Sequence, residues 1–499
     1  MNRRISRLAL LQLLGLSAAG AALGYWQIVR APELVARADN PRRLDEQWRT
    51  VRGRMLDRRG RPIALSEVAA DGYVRRVYLV PTLGAVTGFM NPLQGMTGLE
   101  RAYDDHLSGR TGLDPQTAFA RRVLHRPAVG SDLVLTIDLD LQAAAERALA
   151  TGPQVPGAVI ALDPRSGAVR ALATTPTFDP NRLTFDPTRD DWNAENAAVA
   201  AYAAELNANP ARPLLNRATQ GLYPPGSTFK TVTLAAALER RLVRPDHRFR
   251  YELKPPDRDH RSAWHHNQFV SCQNHSQSEF DLAHAFAFSC NVAFADLGTE
   301  LGASVYLEIA RGLGMDQAPP FELPVEVSRL ASRPDFFTGE ERFYAIAATA
   351  MGQGEILVTP LQMALIAAAM ASGGQPPVPY LVEEIRRPDG SVIHKHQPRR
   401  WTSGVSSGTA AAVRDIMVTS VNDGWASGAR LAGAAIGGKT GTAELGVLRA
   451  EPHAWFIGFA TADTPRIALA LIKESSGMSS AVAAPAARIV FEAALSGAA

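Results

Sequence analysis

Tyr223-Pro224-Pro225-Gly226-Ser227-Thr228-Phe229-Lys230 is followed directly by the apolar stretch Thr231 to Leu238. Two prolines and a glycine break any preceding helix, so Ser227 is expected to open a buried one. At such an end, free N–H groups and the helix dipole favour developing negative charge, and residues three apart share a face. Lys230 can therefore reach the Ser227 hydroxyl. A lysine near its ordinary pKa of about 10.4 is a poor base at neutrality, so the pair becomes chemically useful only if burial or a positive neighbour depresses that value. Arginine could not substitute, because it does not lose its proton. The chain has five lysines among 52 basic residues, and the other 47 are arginine, so a lysine here carries information.

One S-x-x-K is weak alone, since chance supplies it in about one such sequence in four. Two further elements follow in order. Ser289-Cys290-Asn291 closes the apolar run Leu282 to Phe288, offering a hydroxyl and an amide at i and i+2. Gly437-Gly438-Lys439-Thr440-Gly441-Thr442 places a second of the five lysines beside glycines that would let a ligand approach a strand backbone.

The surrounding pattern is α+β. Leu133 to Ile137 has the character of a strand and Leu141 to Leu149 of a helix; Gly157 to Leu162 and Ala168 to Ala173 are apolar runs joined by Asp163-Pro164-Arg165-Ser166-Gly167, a hairpin connection. Ala434 to Thr440, Ala454 to Ala460 and Ile467 to Ile472 are three more strands, and Ala481 to Leu495 is a closing helix. Strands at both ends with helices between them predict one antiparallel sheet that gathers distant parts of the chain. A larger domain is expected over residues 130–499, preceded over 30–129 by an Arg-rich module with a turn at Asp57-Arg58-Arg59-Gly60.

At the amino end, Leu8 to Val29 is an uncharged run of 22 residues, enough at about 1.5 Å per residue to cross a hydrocarbon layer of about 30 Å. Arg3, Arg4 and Arg7 on the short flank (1–7), with Tyr25 and Trp26 at the far end, predict a cytoplasmic amino terminus and an extracytoplasmic bulk. The competing reading is a cleaved signal peptide with a processing site at Ala19-Gly20-Ala21. In an exported chain Cys272 and Cys290, eighteen apart, can pair in a disulfide. His265, His266, Cys272 and His275 crowd the same stretch but match no closed four-ligand metal pattern, so no metal or other cofactor is expected. With 46% hydrophobic content the chain is long and apolar enough to exclude a disordered protein or a disulfide-stapled toxin; a formal charge of +3 is too balanced for a dedicated nucleic-acid binder.

The ordered set S-x-x-K, S-x-N and K-T-G is the signature of penicillin-binding proteins and serine β-lactamases. Thr136-Ile137-Asp138, Leu215-Asn216-Arg217-Ala218, Gly352-Gln353-Gly354, Thr359-Pro360-Leu361-Gln362 and His453-Ala454-Trp455-Phe456-Ile457-Gly458-Phe459 also resemble transpeptidase-domain segments. Upstream, Arg52-Gly53-Arg54-Met55-Leu56-Asp57 and Gly98-Leu99-Glu100-Arg101-Ala102-Tyr103 resemble the membrane-proximal part of class B penicillin-binding proteins, with a shorter arm than division- and elongation-type members carry. About one hundred residues before the catalytic domain leave no room for a glycosyltransferase domain.

The resemblance implies a five-stranded antiparallel sheet flanked by helices and a D,D-transpeptidase. Ser227 would form an acyl-enzyme with the stem peptide, expelling D-alanine. Lys230 would be its base and Ser289 a proton relay. Asn291, Lys439, Thr440, Gly441 and Thr442 would hold the substrate, with the Ser227 and Thr442 N–H groups as oxyanion hole. Implied partners are peptidoglycan stem peptides, β-lactams, and a membrane-embedded glycan polymerase or divisome or elongasome protein. Rival readings are a D,D-carboxypeptidase or β-lactamase, a β-lactam sensor, and a scaffold for a polymerase. Plainer roles are assigned to Glu444, a surface carboxylate, to Trp455 and Phe456, sheet core, and to Gln353, which shapes a loop.

Overall fold

The computed structural model describes residues 2–30, 33, 41–112, 129–250, 260–264, 268–272, 279–444, 451–461 and 465–497. The strands of the two larger sheets run, in chain order, β1 (Met55–Leu56), β2 (Pro62–Val68), β3 (Val74–Tyr78), β4 (Asp132–Leu135), β5 (Gly157–Leu162), β6 (Val169–Thr175), β7 (Val382–Arg386), β8 (Val392–Lys395), β9 (Ala435–Ala443), β10 (His453–Thr461) and β11 (Pro465–Lys473). The helices that matter for the site are α1 (Asn2–Gly24), α2 (Leu139–Ala150), α3 (Arg217–Gln220), α4 (Lys230–Glu239), α5 (Leu282–Ala287), α6 (Asn291–Leu301), α7 (Pro360–Ala371) and α8 (Ser479–Ser496).

The five-stranded sheet has the order β9-β10-β11-β5-β6 and every pairing is antiparallel. Its side chains alternate between two cores, as the period of two requires. On one face Ala158, Ile160, Trp455, Ile457, Phe459, Ala468 and Ala470 join the core that holds α4 and α7. On the other face Val159, Ala161, Phe456, Leu469 and Leu471 pack against Leu141 and Leu149 of α2 and Val490 and Phe491 of α8. Both faces are therefore covered, which explains why these strands read as continuous apolar runs. All of α7 is buried, in keeping with a sequence apolar all round.

The expected hairpin of Gly157 to Leu162 with the next strand forms, but its second strand begins at Val169 and continues to Thr175. The strand expected at Leu133 to Ile137 does not enter this sheet. It is β4, at Asp132–Leu135, in a six-stranded sheet of order β8-β7-β4-β1-β2-β3 where β1 and β4 run parallel. That sheet joins strands from both sides of residue 130. Its turn between β1 and β2 is the expected one: Gly60, at φ 83°, donates its N–H to Asp57 O at 2.9 Å.

Next to it lies a buried ion cluster. Arg52 Nε and Arg76 Nε reach the two oxygens of Glu100 at 2.8 and 2.7 Å, Arg52 Nη1 reaches Asp104 at 2.6 Å, and Tyr78 donates to Glu100 at 3.2 Å. Burial alone would raise the Glu100 pKa, but the two guanidinium groups hold it below the usual value. At the amino end α1 continues into a short π-helical turn, and Ile5–Val29 is long and apolar enough to cross a membrane.

Candidate active site

Ser227 does not open a regular helix. Gly226–Phe229 is a 3-10 turn and α4 begins only at Lys230. The cause is Gly226, whose φ of 54° lies in the left-handed region beyond two prolines. Side chains three apart eclipse one another in a 3-10 turn, which keeps Ser227 and Lys230 on one face, but the expected Lys230 to Ser227 hydrogen bond is not formed among the described residues. Ser227 is half-buried, while Lys230 at the head of α4 is fully buried.

Lys230 Nζ has three oxygen partners: Ser289 O at 2.8 Å, Ser289 Oγ at 3.1 Å and Asn291 Oδ1 at 2.5 Å. Ser289 stands in the turn between α5 and α6 at φ 61°, a conformation rare for a side-chain-bearing residue, which places its carbonyl and hydroxyl together on the lysine. Asn291 is the first residue of α6, and the preceding Cys290 caps that helix by accepting from Ala293 N at 3.5 Å. The Cys290 sulfur is in a disulfide. The side chain of Cys272, its expected partner, and the His265, His266, Cys272 and His275 side chains lie outside the described residues.

Lys439, on β9, is likewise fully buried and donates to Thr440 O at 3.1 Å. Phe286 and Phe294 lie 5.5 and 5.6 Å from the Lys439 and Lys230 ammonium groups. Neither lysine forms a salt bridge among the described residues, so burial dominates. It pushes Lys439 down to about 7. Burial and the Lys439 charge together push Lys230 well below the ordinary lysine value. In the neutral amine one of the three contacts must reverse, and Ser289 Oγ–H is the sole partner with a proton to give. The arrangement is a proton path from one hydroxyl to a titratable nitrogen.

β9 runs from Ala435 through Ala443, so Thr440, Gly441 and Thr442 are strand residues. A side chain at Gly441 would come within 2.8 Å of Pro225 O and 2.9 Å of Thr228 N; one at Gly226 would come within 2.9 Å of Thr442 O. The serine turn and the K-T-G strand thus rest backbone against backbone, which requires glycine on both sides. The pair Gly437-Gly438 has another purpose than the one expected. The space beside it is filled by the rings of Phe459 and Phe456, 2.4 and 2.3 Å from where a Cβ would stand, and not by an approach path for ligand. Thr442 Oγ1 and Ser479 Oγ, at the start of α8, are 2.9 Å apart.

A brace behind the turn has no counterpart in the sequence reading. Glu474, one residue past β11, accepts from Arg217 Nε and from the Tyr223 hydroxyl, each at 2.8 Å. Trp455 is core, as expected, yet its Nε1–H also holds Pro224 O at 3.1 Å, and Gly226 N donates to Gly352 O at 3.0 Å. The buried Lys473 donates to Leu149 O and Thr151 O, ending a strand and helix together. Ser479 and Glu474 belong to no local motif; only the tertiary contacts of Glu474 with Arg217 of α3 and of Ser479 with Thr442 of β9 reveal them. Phe456 is core, Glu444 is exposed, and Gln353 sits in the turn after the helix that ends at Met351.

A half-buried serine at a turn, a desolvated lysine three residues on, a second serine on that lysine and a strand pressed against the turn define an acyl-transferring serine enzyme of the α+β class. The family described as penicillin binding protein transpeptidase domain matches residues 157–492. The chain is 35% identical over 99% of its length, and of the relative's, to a protein named peptidoglycan D,D-transpeptidase PbpA from Mycolicibacterium smegmatis. A solved structure of penicillin-binding protein A from M. tuberculosis, a ceftriaxone acyl-enzyme complex, is 33% identical, covers 91% of this chain and all of that one, and superposes with a TM-score of 0.80. A structure titled as coordination of polymerization and crosslinking by a peptidoglycan synthase complex matches over 98% of both chains, at 25% identity and a TM-score of 0.72. The chain belongs to the penicillin-binding protein transpeptidase family, as a class B member.

Proposed function

We propose that the chain is a serine D,D-transpeptidase that cross-links peptidoglycan stem peptides and is acylated by β-lactams at Ser227. Lys230 as neutral amine takes the Ser227 proton while Oγ attacks the carbonyl of the penultimate D-alanine. The N–H groups of Ser227 and Thr442 receive the oxyanion. The C–N bond to the last D-alanine breaks, and its amine leaves with a proton passed from Lys230 through Ser289 Oγ. An amine of a second stem peptide then attacks the ester, gives up its proton along the reverse path, and restores Ser227. Asn291 holds the donor's amide; Lys439, Thr440 and Thr442 bind its carboxylate. The observation that carries this reading is the contact of Lys230 Nζ with both Ser289 Oγ and Asn291 Oδ1, in a place where burial disfavours its charge.

The apolar helix supports anchoring in the cytoplasmic membrane through residues 8–29, with 1–7 cytoplasmic and both the 30–129 module and the 130–499 catalytic domain outside. The relative described as a peptidoglycan synthase complex supports a membrane-embedded glycan polymerase as partner. The test uses purified full-length chain with a synthetic pentapeptide donor and an amine acceptor. Release of D-alanine in step with amide product, lost in Ser227→Ala, is the expected result. Release with water as the only acceptor would make it a carboxypeptidase, and rapid turnover of penicillin a β-lactamase.

A further inference from the structure

Past the helix Ser407–Asp423 the chain turns through Gly424 and Trp425, and this turn is seated on the residues just before Ser289. Trp425 N donates to Ala287 O at 3.1 Å, and the indole Nε1–H donates to Phe288 O at 3.2 Å, on the peptide unit that leads into Ser289. Glycine is required beside it, because a Cβ on Gly424 would stand 2.5 Å from Ala287 O. The indole therefore has a fixed place, edge-on to Phe288 with ring centroids 6.3 Å apart. The segment that receives it runs from Phe286, 5.5 Å from the Lys439 ammonium, to Ser289, whose Oγ lies 3.1 Å from Lys230 Nζ. Trp455 offers the contrast. Its indole N–H also holds a backbone oxygen next to the active site, yet its ring is fully buried, while Trp425, Phe288 and Ser289 are each half-buried. Two aromatic residues thus keep exposed surface beside the serine that the mechanism uses to move protons.

On the transpeptidase reading, on which this inference rests, deacylation needs a neutral amine at the ester of Ser227. The new N–C bond forms, the Ser227 Oγ–C bond breaks, and the amine's proton passes through Ser289 Oγ and Lys230 to Ser227 Oγ. The amine must therefore arrive beside Ser289 and outcompete water there. We infer that Trp425 is the acceptor-specificity residue, and that with Phe288 it forms a shelf for an acceptor whose primary amine ends a chain of methylene groups. The methylenes leave water against the two rings, and an ammonium on its way in is attracted to an indole face. Lys230 and Lys439 repel it little, since burial drives both toward neutrality. Water gains nothing from the shelf, and neither does a short amine without the methylene chain. The rings thus bias which nucleophile takes the acyl group.

The experiment uses full-length chain and a stem pentapeptide donor acetylated at both of its amines, so that only an added acceptor supplies the attacking nitrogen. Mass spectrometry gives the ratio of amide product to hydrolysed donor. This ratio reports the fate of each acyl-enzyme, whatever the rate at which it forms. With Nα-acetyl-L-lysine amide as acceptor, Trp425→Ala should lower the ratio about tenfold or more. Trp425→Phe, which keeps a ring and loses the N–H bond to Phe288, should stay within about threefold of the native value. With glycinamide, the native chain and Trp425→Ala should agree within about twofold. Should Trp425→Ala not fold, the native chain alone decides: at equal free-amine concentration it should favour the lysine acceptor over glycinamide about tenfold. The inference alone is overturned by a ratio unchanged in Trp425→Ala, by an equal loss with both acceptors, by a Trp425→Phe value as low as that of Trp425→Ala, or by no preference between acceptors. No amide from the native chain with either acceptor removes the transpeptidase reading and the inference with it.

Discussion

Two regions of the molecule bury cations completely and treat them in opposite ways. Beside the six-stranded sheet, Arg52 and Arg76 surround Glu100, with Asp104 alongside, so every charge has its opposite within 3 Å. In the groove, Lys230 and Lys439 are buried as deeply but face carbonyl, amide and hydroxyl oxygens and aromatic rings, with no carboxylate on either among the described residues. The first arrangement keeps its arginines charged and its carboxylate ionised; the second drives its lysines toward neutrality. A chain that otherwise prefers arginine keeps lysine where a proton must come and go.

Lys230→Arg sharpens that contrast most, because it preserves charge and removes the capacity to deprotonate. Penicillin acylation per folded molecule, measured by intact mass, should fall about 10²–10⁴-fold, and stability should fall as well because the guanidinium is buried without a carboxylate. Glu100→Gln attacks the other region. It leaves two buried guanidinium groups short of countercharge and should cost about 3–5 kcal/mol in denaturant unfolding, with acylation per folded molecule unchanged within about twofold.

The pH dependences should also run oppositely. Glu100, with its folded pKa lowered, contributes stability that is present above its ordinary value of 4.5 and lost as pH falls through the folded one, so Glu100→Gln flattens the acid limb. Lys439 has a folded pKa of about 7 against an ordinary 10.5, so between these the unfolded chain binds more protons and stability rises with pH. Lys439→Met should make that rise shallower in unfolding curves taken from pH 7 to 10, the remainder belonging to Lys230. The smallest effect belongs to Glu444→Ala: as an exposed carboxylate it should change stability by less than about 0.5 kcal/mol and leave the lifetime of the penicilloyl adduct as it was.

Sequence carried the parts of this that are local. The i and i+3 spacing of Ser227 and Lys230, the alternation or continuity of apolar residues in the strands, and the uncharged N-terminal run each report a structure built within a few residues. The 3-10 turn escaped because Gly226 could as well have ended a loop before a regular helix; only the seat against Thr442 imposes its left-handed backbone. The same holds for Gly437 and Gly438, whose reason is two rings on a neighbouring strand. Glu474 lies 251 residues from Tyr223, and the pairing of β7 with β4 joins residues just as distant, while Ser479 stands 37 residues from its partner Thr442, so no local motif contains them.

The rate of penicillin acylation at Ser227, followed by intact mass and peptide mapping from pH 5 to 10, tests the buried-lysine account most directly. The account predicts one adduct on the peptide containing Ser227 and a rate that climbs with pH through a titration well below 10.5, absent in Lys230→Arg. A rate flat across that range, or a titration at the ordinary lysine value, would contradict it.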